Sequence, residues 1–138
     1  MERFKIGKIN INITNFDDTI KQIDSAIKNN IYGYICVTNS RTVYYANKDD
    51  AYLKIQNNSL MTVPDGMPLV WIAHNIGLKS VNRVCGPDLF PEIIKSSTAD
   101  RLGISNDASR EHVINLVNLC NFILQPVREE FGVIRINS

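Results

Sequence analysis

Three short stretches carry the side chains that can do chemistry. The first is VPDGMP, where Val63 closes an apolar run, Pro64 ends it, and Asp65-Gly66 makes a turn that leaves a carboxylate at the carboxyl end of a strand. Ligand chemistry in α/β sheets sits at that station, and a carboxylate there can accept a proton. Pro68 suits the first position of the following helix, where its missing N–H costs nothing. Met67 then becomes the cap, and Asp65 lies two residues outside the helix, too far back to cap it. The second stretch is Thr38-Asn39-Ser40, which follows another apolar run and occupies the same station. Its hydroxyls and amide can bind a ligand or cap a helix. The third is NRVCGPDL, with Arg83, Gly86 and Asp88. Arg83 can be a solvated charge and Asp88 can cap a helix over residues 89–94.

These stretches need a scaffold, and the pattern of the chain supplies one. FKIGKININI alternates apolar and polar residues around Gly7-Lys8, which predicts a short hairpin or a bent strand. Asn15 can cap a helix reaching about Lys28, with Phe16, Ile20, Ile23 and Ile27 at helical spacing and Asp17 and Asp18 in its first turn. Residues 34–37 read as a buried parallel strand. Helical spacing returns over 42–46 and 51–55, and residues 60–63 are again strand-like. A helix over 68–76 follows, with Trp71 expected in the core and His74 partly exposed near the helix end. Ser109 can cap a helix to about residue 125, whose Val113, Leu116, Val117 and Cys120 fall on one apolar stripe. The expected fold class is α/β: a parallel-sheet layered, Rossmann-like partial domain with an N-terminal hairpin or bent strand and a C-terminal amphipathic helix.

Composition narrows the partners. The chain has 138 residues, 44% hydrophobic and 21% charged, with a net charge of +1. That length allows one domain burying about two thirds of its unfolded surface, and the charge gives no general pull toward nucleic acid. The N-terminus lacks the apolar core of a signal peptide and no apolar run has the length of a membrane span, so a cytoplasmic location is expected. Cys36, Cys85 and Cys120 lack C-x-x-C spacing, which argues against a disulfide framework or structural zinc. Neither a glycine-rich phosphate fingerprint nor an Asp-x-Asp pair is present.

In order along the chain, VTNSRTVYYANKD, PDGMPLVW and NRVCGPDL resemble successive motifs of the WecG/TagA/CpsF glycosyltransferase family, glycosyltransferase family 26, over about residues 6–94. The resemblance implies an inverting enzyme without a metal requirement or other cofactor. Such an enzyme transfers N-acetylmannosamine, its uronic acid or a related sugar from a UDP donor to a polyprenyl diphosphate-linked acceptor, in cell-envelope polysaccharide or teichoic acid synthesis. It further implies work at the inner face of the membrane, and homo-oligomers are an open possibility. By the same resemblance Asp65 matches the general base, Thr38 and Asn39 match sugar-site positions, and Arg83, Gly86 and Asp88 match a binding or organising segment. Arg41 stands where related sequences often have histidine.

From about Lys95 the chain departs from that course, and residues 98–138 resemble the opening of D-alanyl-D-alanine carboxypeptidase-like zinc peptidases. No zinc ligand of such an enzyme can be mapped, since a catalytic zinc needs about three protein ligands. The expected organisation is a glycosyltransferase-like domain over 1–94, the N-terminal half of the family domain, with a helical extension over 95–138 and a loose join near 95–107. The alternatives to an incomplete transferase are a peptidase fragment and a noncatalytic sugar-binding remnant.

Overall fold

The structure is a computed structural model that describes residues 1–102 and 133–136, with side chains described as far as Lys95. The order of elements is β1 (Arg3–Ile6), β2 (Ile9–Asn12), α1 (Phe16–Lys28), β3 (Gly33–Thr38), α2 (Ser40–Lys48), α3 (Asp50–Asn57), β4 (Met61–Pro64), α4 (Met67–Asn75), α5 (Gly86–Leu102) and β5 (Val133–Ile136). The expected N-terminal element is a hairpin: β1 and β2 pair antiparallel, and the turn between them places Gly7 at φ +61°. Only glycine takes that conformation freely, and a Cβ there would meet the Asn47 amide at 2.6 Å.

Described strands β4, β3 and β5 form the second sheet in that order. β3 and β4 are parallel, with Val37 opposite Val63 and Thr38 opposite Pro64. β5 joins the other edge of β3 antiparallel, so the sheet is mixed where an all-parallel one was expected. Side chains alternate across the strands, and the two faces differ. Ile35, Met61 and Val63 meet Ile23 of α1 and Leu89 and Ile93 of α5 in an apolar cluster. Each such aliphatic side chain contributes about 1.5–3 kcal/mol on burial. On the other face Thr62 N–H donates to Asn12 Oδ1 at 2.7 Å, the Thr62 hydroxyl donates to Gln56 O at 3.0 Å, and Thr38 Oγ1 donates to Gln56 Oε1 at 2.9 Å. That network fastens the hairpin and the end of α3 to the sheet. A second apolar cluster joins Phe4, Ile9 and Ile11 of the hairpin to Ala46 of α2 and to Leu69 and Ala73 of α4.

The helix starts show where local reading holds. Asn15 caps α1 as expected, its side chain accepting from Asp18 N–H. α4 begins one residue earlier than expected: Gly66, not Met67, is the cap, no side chain caps it, and Pro68 stands within the first turn. α5 begins at Gly86 and runs to Leu102, so Asp88 lies inside the first turn instead of capping it. Pro87 explains the shift, because proline costs nothing in a first turn. The helix continues past residue 95, where a loose join was expected, with Pro91 inside it. The predicted helix over 109–125 and its stripe lie outside the described residues.

Candidate active site

Two strand-to-helix turns meet at the carboxyl edge of the parallel pair. Asp65 N–H donates to Thr38 O at 2.8 Å, so the turn after β4 is stitched to the end of β3. Across the same edge the α position of Gly66 faces Asn39, close enough that a Cβ would sit 3.7 Å from Asn39 Cβ. The sequence expectation that Thr38, Asn39 and Asp65 end neighbouring strands is met in this register.

Their side chains are differently employed. Thr38 is fully buried and its hydroxyl is committed to Gln56. Asn39 is exposed and caps α2, its Oδ1 accepting from Thr42 N–H at 3.0 Å and from the Thr42 hydroxyl at 3.2 Å. Asp65 is largely buried, at 18% side-chain exposure, and its Oδ1 has no hydrogen-bond partner among the described residues. Arg83 Nη2 stands 3.4 Å from that oxygen, near enough for charge attraction but not aligned to bond it, while Arg83 Nε donates to the Asp65 backbone carbonyl at 3.3 Å. Burial pushes the Asp65 carboxyl above its ordinary value of 3.8. The Arg83 charge and the Gly86 N–H pull it down, and the Asp88 charge adds to the rise. The net upward direction means that desolvation outweighs both donors. A buried carboxylate with an unbonded oxygen is a strong proton acceptor.

Arg83 reaches this place because its loop is pinned on both sides. Val84 N–H donates to Pro64 O at 2.7 Å and Asn82 N–H to Thr14 O at 3.1 Å. Val81 and Val84 are buried, and His74 Nε2 lies 2.7 Å from Val81 O, which gives that partly exposed histidine a structural role. The guanidinium, half exposed, is left at the surface beside Asp65. Gly86 follows, buried against β3, where a Cβ would lie 3.3 Å from Val37 Cγ1. Its lack of a side chain lets the first N–H of α5 approach the carboxylate. Asp88 is exposed and lines an open groove with Phe16, Pro87, Pro91 and Glu92.

The site thus brings together Asp65, Arg83, Gly86 and Asn39, with Asp88 acting on Asp65 through its charge. Arg41 is exposed on the first turn of α2 with its guanidinium 5.6 Å from the Tyr45 ring centre. Gln56 and Cys85 escaped sequence reading. Gln56 has no local motif, being an ordinary helix residue whose partner lies 18 positions away. Cys85 precedes α5 and sits within reach of the Arg83 guanidinium, at 3.7 Å. Burial, mainly, raises its thiol pKa, and burial holds Cys36 at about 11, so both stay protonated at neutral pH. Among the described residues no group of three His, Cys, Asp or Glu side chains is placed to hold a metal ion.

A model of the glycosyl transferase WecG/TagA/CpsF family matches residues 4–117. The match contains all six expected site residues and runs past Lys95, where the sequence reading ended the resemblance at 94. It takes in the first part of the segment likened to a zinc peptidase, a likeness that gains no support. No curated protein matches the chain.

Proposed function

The chain belongs to the WecG/TagA/CpsF family of glycosyltransferases, which act in cell-envelope polysaccharide synthesis, and on that premise we propose that it moves N-acetylmannosamine or a related sugar from a UDP donor to a polyprenyl diphosphate-linked sugar. The observation that carries the proposal is the buried, unbonded Oδ1 of Asp65 at the carboxyl end of β4. In this reading an acceptor hydroxyl attacks the anomeric carbon from the face opposite UDP. The new C–O bond forms as the bond to the diphosphate breaks, the hydroxyl proton passes to Asp65, and UDP leaves with the bonding pair, inverting the configuration. A carboxylate raised above its ordinary pKa is better matched to that proton than a solvated one.

Charge builds on the departing diphosphate, and Arg83 is the residue assigned to meet it. Its planar donors pair with phosphate oxygens in a fixed fork, and half of its side chain is open to a ligand. Gly86 contributes through its backbone, and Asp88 through its charge on Asp65. Asn39 is assigned to the sugar through its amide nitrogen, because Oδ1 is occupied by Thr42. Thr38 is assigned a positioning role, holding the edge from beneath.

The test is UDP release from UDP-N-acetylmannosamine in the presence of a short-chain polyprenyl diphosphate-linked sugar. Whatever release the 138-residue chain supports, expected to be small for an incomplete transferase, should fall by at least about a hundredfold in Asp65→Asn. Equal release by that variant, or no rise in the melting temperature of the parent chain with any UDP-hexosamine or uronate, would overturn it.

A further inference from the structure

Gln56, in the last turn of α3, is 1% exposed and ties together the two strands that carry the site. Its side chain reaches β3, where Oε1 accepts from the Thr38 hydroxyl at 2.9 Å. Its carbonyl reaches β4, accepting from the Thr62 hydroxyl at 3.0 Å, and also accepts from the Ser59 hydroxyl at 2.8 Å. The Thr38 carbonyl in turn accepts the Asp65 N–H at 2.8 Å. The amide of Gln56 is therefore joined to the backbone of Asp65 through Thr38 alone.

The hairpin holds Gln56 in place from behind. Arg3 of β1 donates to the carbonyls of Asn57 at 3.2 Å, Ser59 at 2.8 Å and Leu60 at 3.1 Å, gripping the end of α3 and the turn into β4. A cation is favourable at that end of a helix. Asn57 Oδ1 accepts from Asn10 N–H at 2.9 Å, and the Asn57 amide nitrogen donates to Lys8 O at 3.1 Å. Asn12 Oδ1 takes Thr62 N–H, so the hairpin grips β4 as well. Burying an amide costs free energy unless it is bonded, and a bonded buried network fixes one arrangement of the groups it joins. Here those groups are the end of β3 and, through it, the turn after β4.

We propose that Gln56 is a positioning residue for the transfer reaction: anchored by the hairpin, it sets the place of Thr38 and so holds the Asp65 carboxylate against Arg83 and the Gly86 N–H. The role rests on the reading of Asp65 as the base, and it extends the site to a residue outside all three motifs. Such placement matters because a misplacement of about 1 Å can cost about a hundredfold in rate.

The test follows the Asp65 carboxyl carbon by NMR through a pH titration of the full chain, so it needs no turnover. Gln56→Met nearly keeps the volume and removes the acceptor. With the turn loosened the carboxyl gains water, and its titration midpoint should fall toward the ordinary value of 3.8. Thr38→Val breaks the same bond from the other side and should lower the midpoint equally, which keeps the comparison available where the methionine variant does not fold. The double variant should lower it no further than either change alone. Ala26→Gly weakens α1, on the opposite face of the sheet, through its backbone, and should leave the midpoint where it is. An unchanged midpoint in Gln56→Met and Thr38→Val overturns the proposal. So do additive shifts in the double variant, or an equal fall in Ala26→Gly, which would make the effect general loosening. Whether Asp65 is the base is decided separately, by UDP release in Asp65→Asn, so failure of that reading leaves the titration result standing.

Discussion

Thr38-Asn39-Ser40 ends β3 and Pro64-Asp65-Gly66 ends β4, in register across one parallel pair, and each leads into a helix of nine residues. In the first turn the side-chain oxygens of two residues are taken, Thr38 Oγ1 by Gln56 and Asn39 Oδ1 by the cap of α2, which leaves the Asn39 amide nitrogen. In the second, α4 has no side-chain cap and Asp65 keeps a buried oxygen without a hydrogen bond. The same local plan therefore produces a closed turn and an open one. Buried polar groups are normally satisfied, so the turn left unsatisfied is the one available for chemistry, and the satisfied one is its support.

The largest expected break in that comparison is Asp65→Asn. It keeps the shape of the open turn and removes the proton acceptor, so turnover should fall by at least about a hundredfold, while the circular dichroism spectrum should stay that of the parent chain. The closed turn should respond in the opposite manner. Thr38→Val leaves Gln56 Oε1 buried without a donor and should cost about 1–3 kcal/mol in urea unfolding. Asn39→Ala should cost about 1 kcal/mol through loss of the cap. A Thr38→Val chain of unchanged stability would show that the first turn is not closed as described.

Arg83→Ala sharpens the open side. Its ion pair is half exposed and adds little to stability, so melting should barely move, whereas UDP affinity measured by calorimetry should fall about tenfold. Arg83 also holds the Asp65 carboxyl down. Its removal should move the acid limb of the pH–rate profile to higher pH, a shift that a purely structural arginine would not cause.

The smallest effect is on pH-dependent stability. The folded carboxyl of Asp65 lies above its ordinary value of 3.8, so the stability it lends is present below the unfolded pKa and is lost as pH rises through the folded one. At neutral pH the ionised group opposes folding. Asp65→Asn should melt higher than the parent chain at pH 7, and the gain should vanish near pH 3. A gain of equal size at both pH values would locate the effect in packing and not in charge.

Much of this protein is written in short-range pattern. Asn15 caps α1 because its side chain meets an N–H three residues on, and the hairpin turns at Gly7 because glycine takes that φ without strain. The alternating strands, the helix spacings and the three motifs that place Asp65, Arg83 and Gly86 in loops are equally local. Tertiary structure decided the rest. Packing of Gly86 against Val37 brought the first N–H of α5 to Asp65. Pairing with β4 on one edge and β5 on the other made the sheet mixed. The bond from Thr38 to Gln56 closed one turn, and the pinned loop of residues 81–85 carried Arg83 to the other. Trp71, expected in the core, is 62% exposed, and the inward positions of α4 are held by Leu69, Val70 and Ala73. Local rules settle which conformation a segment takes, because its own backbone and nearest side chains determine the energy. Which polar atom ends buried and which apolar side chain ends exposed depends on groups distant in sequence, since burial is a property of the assembled chain.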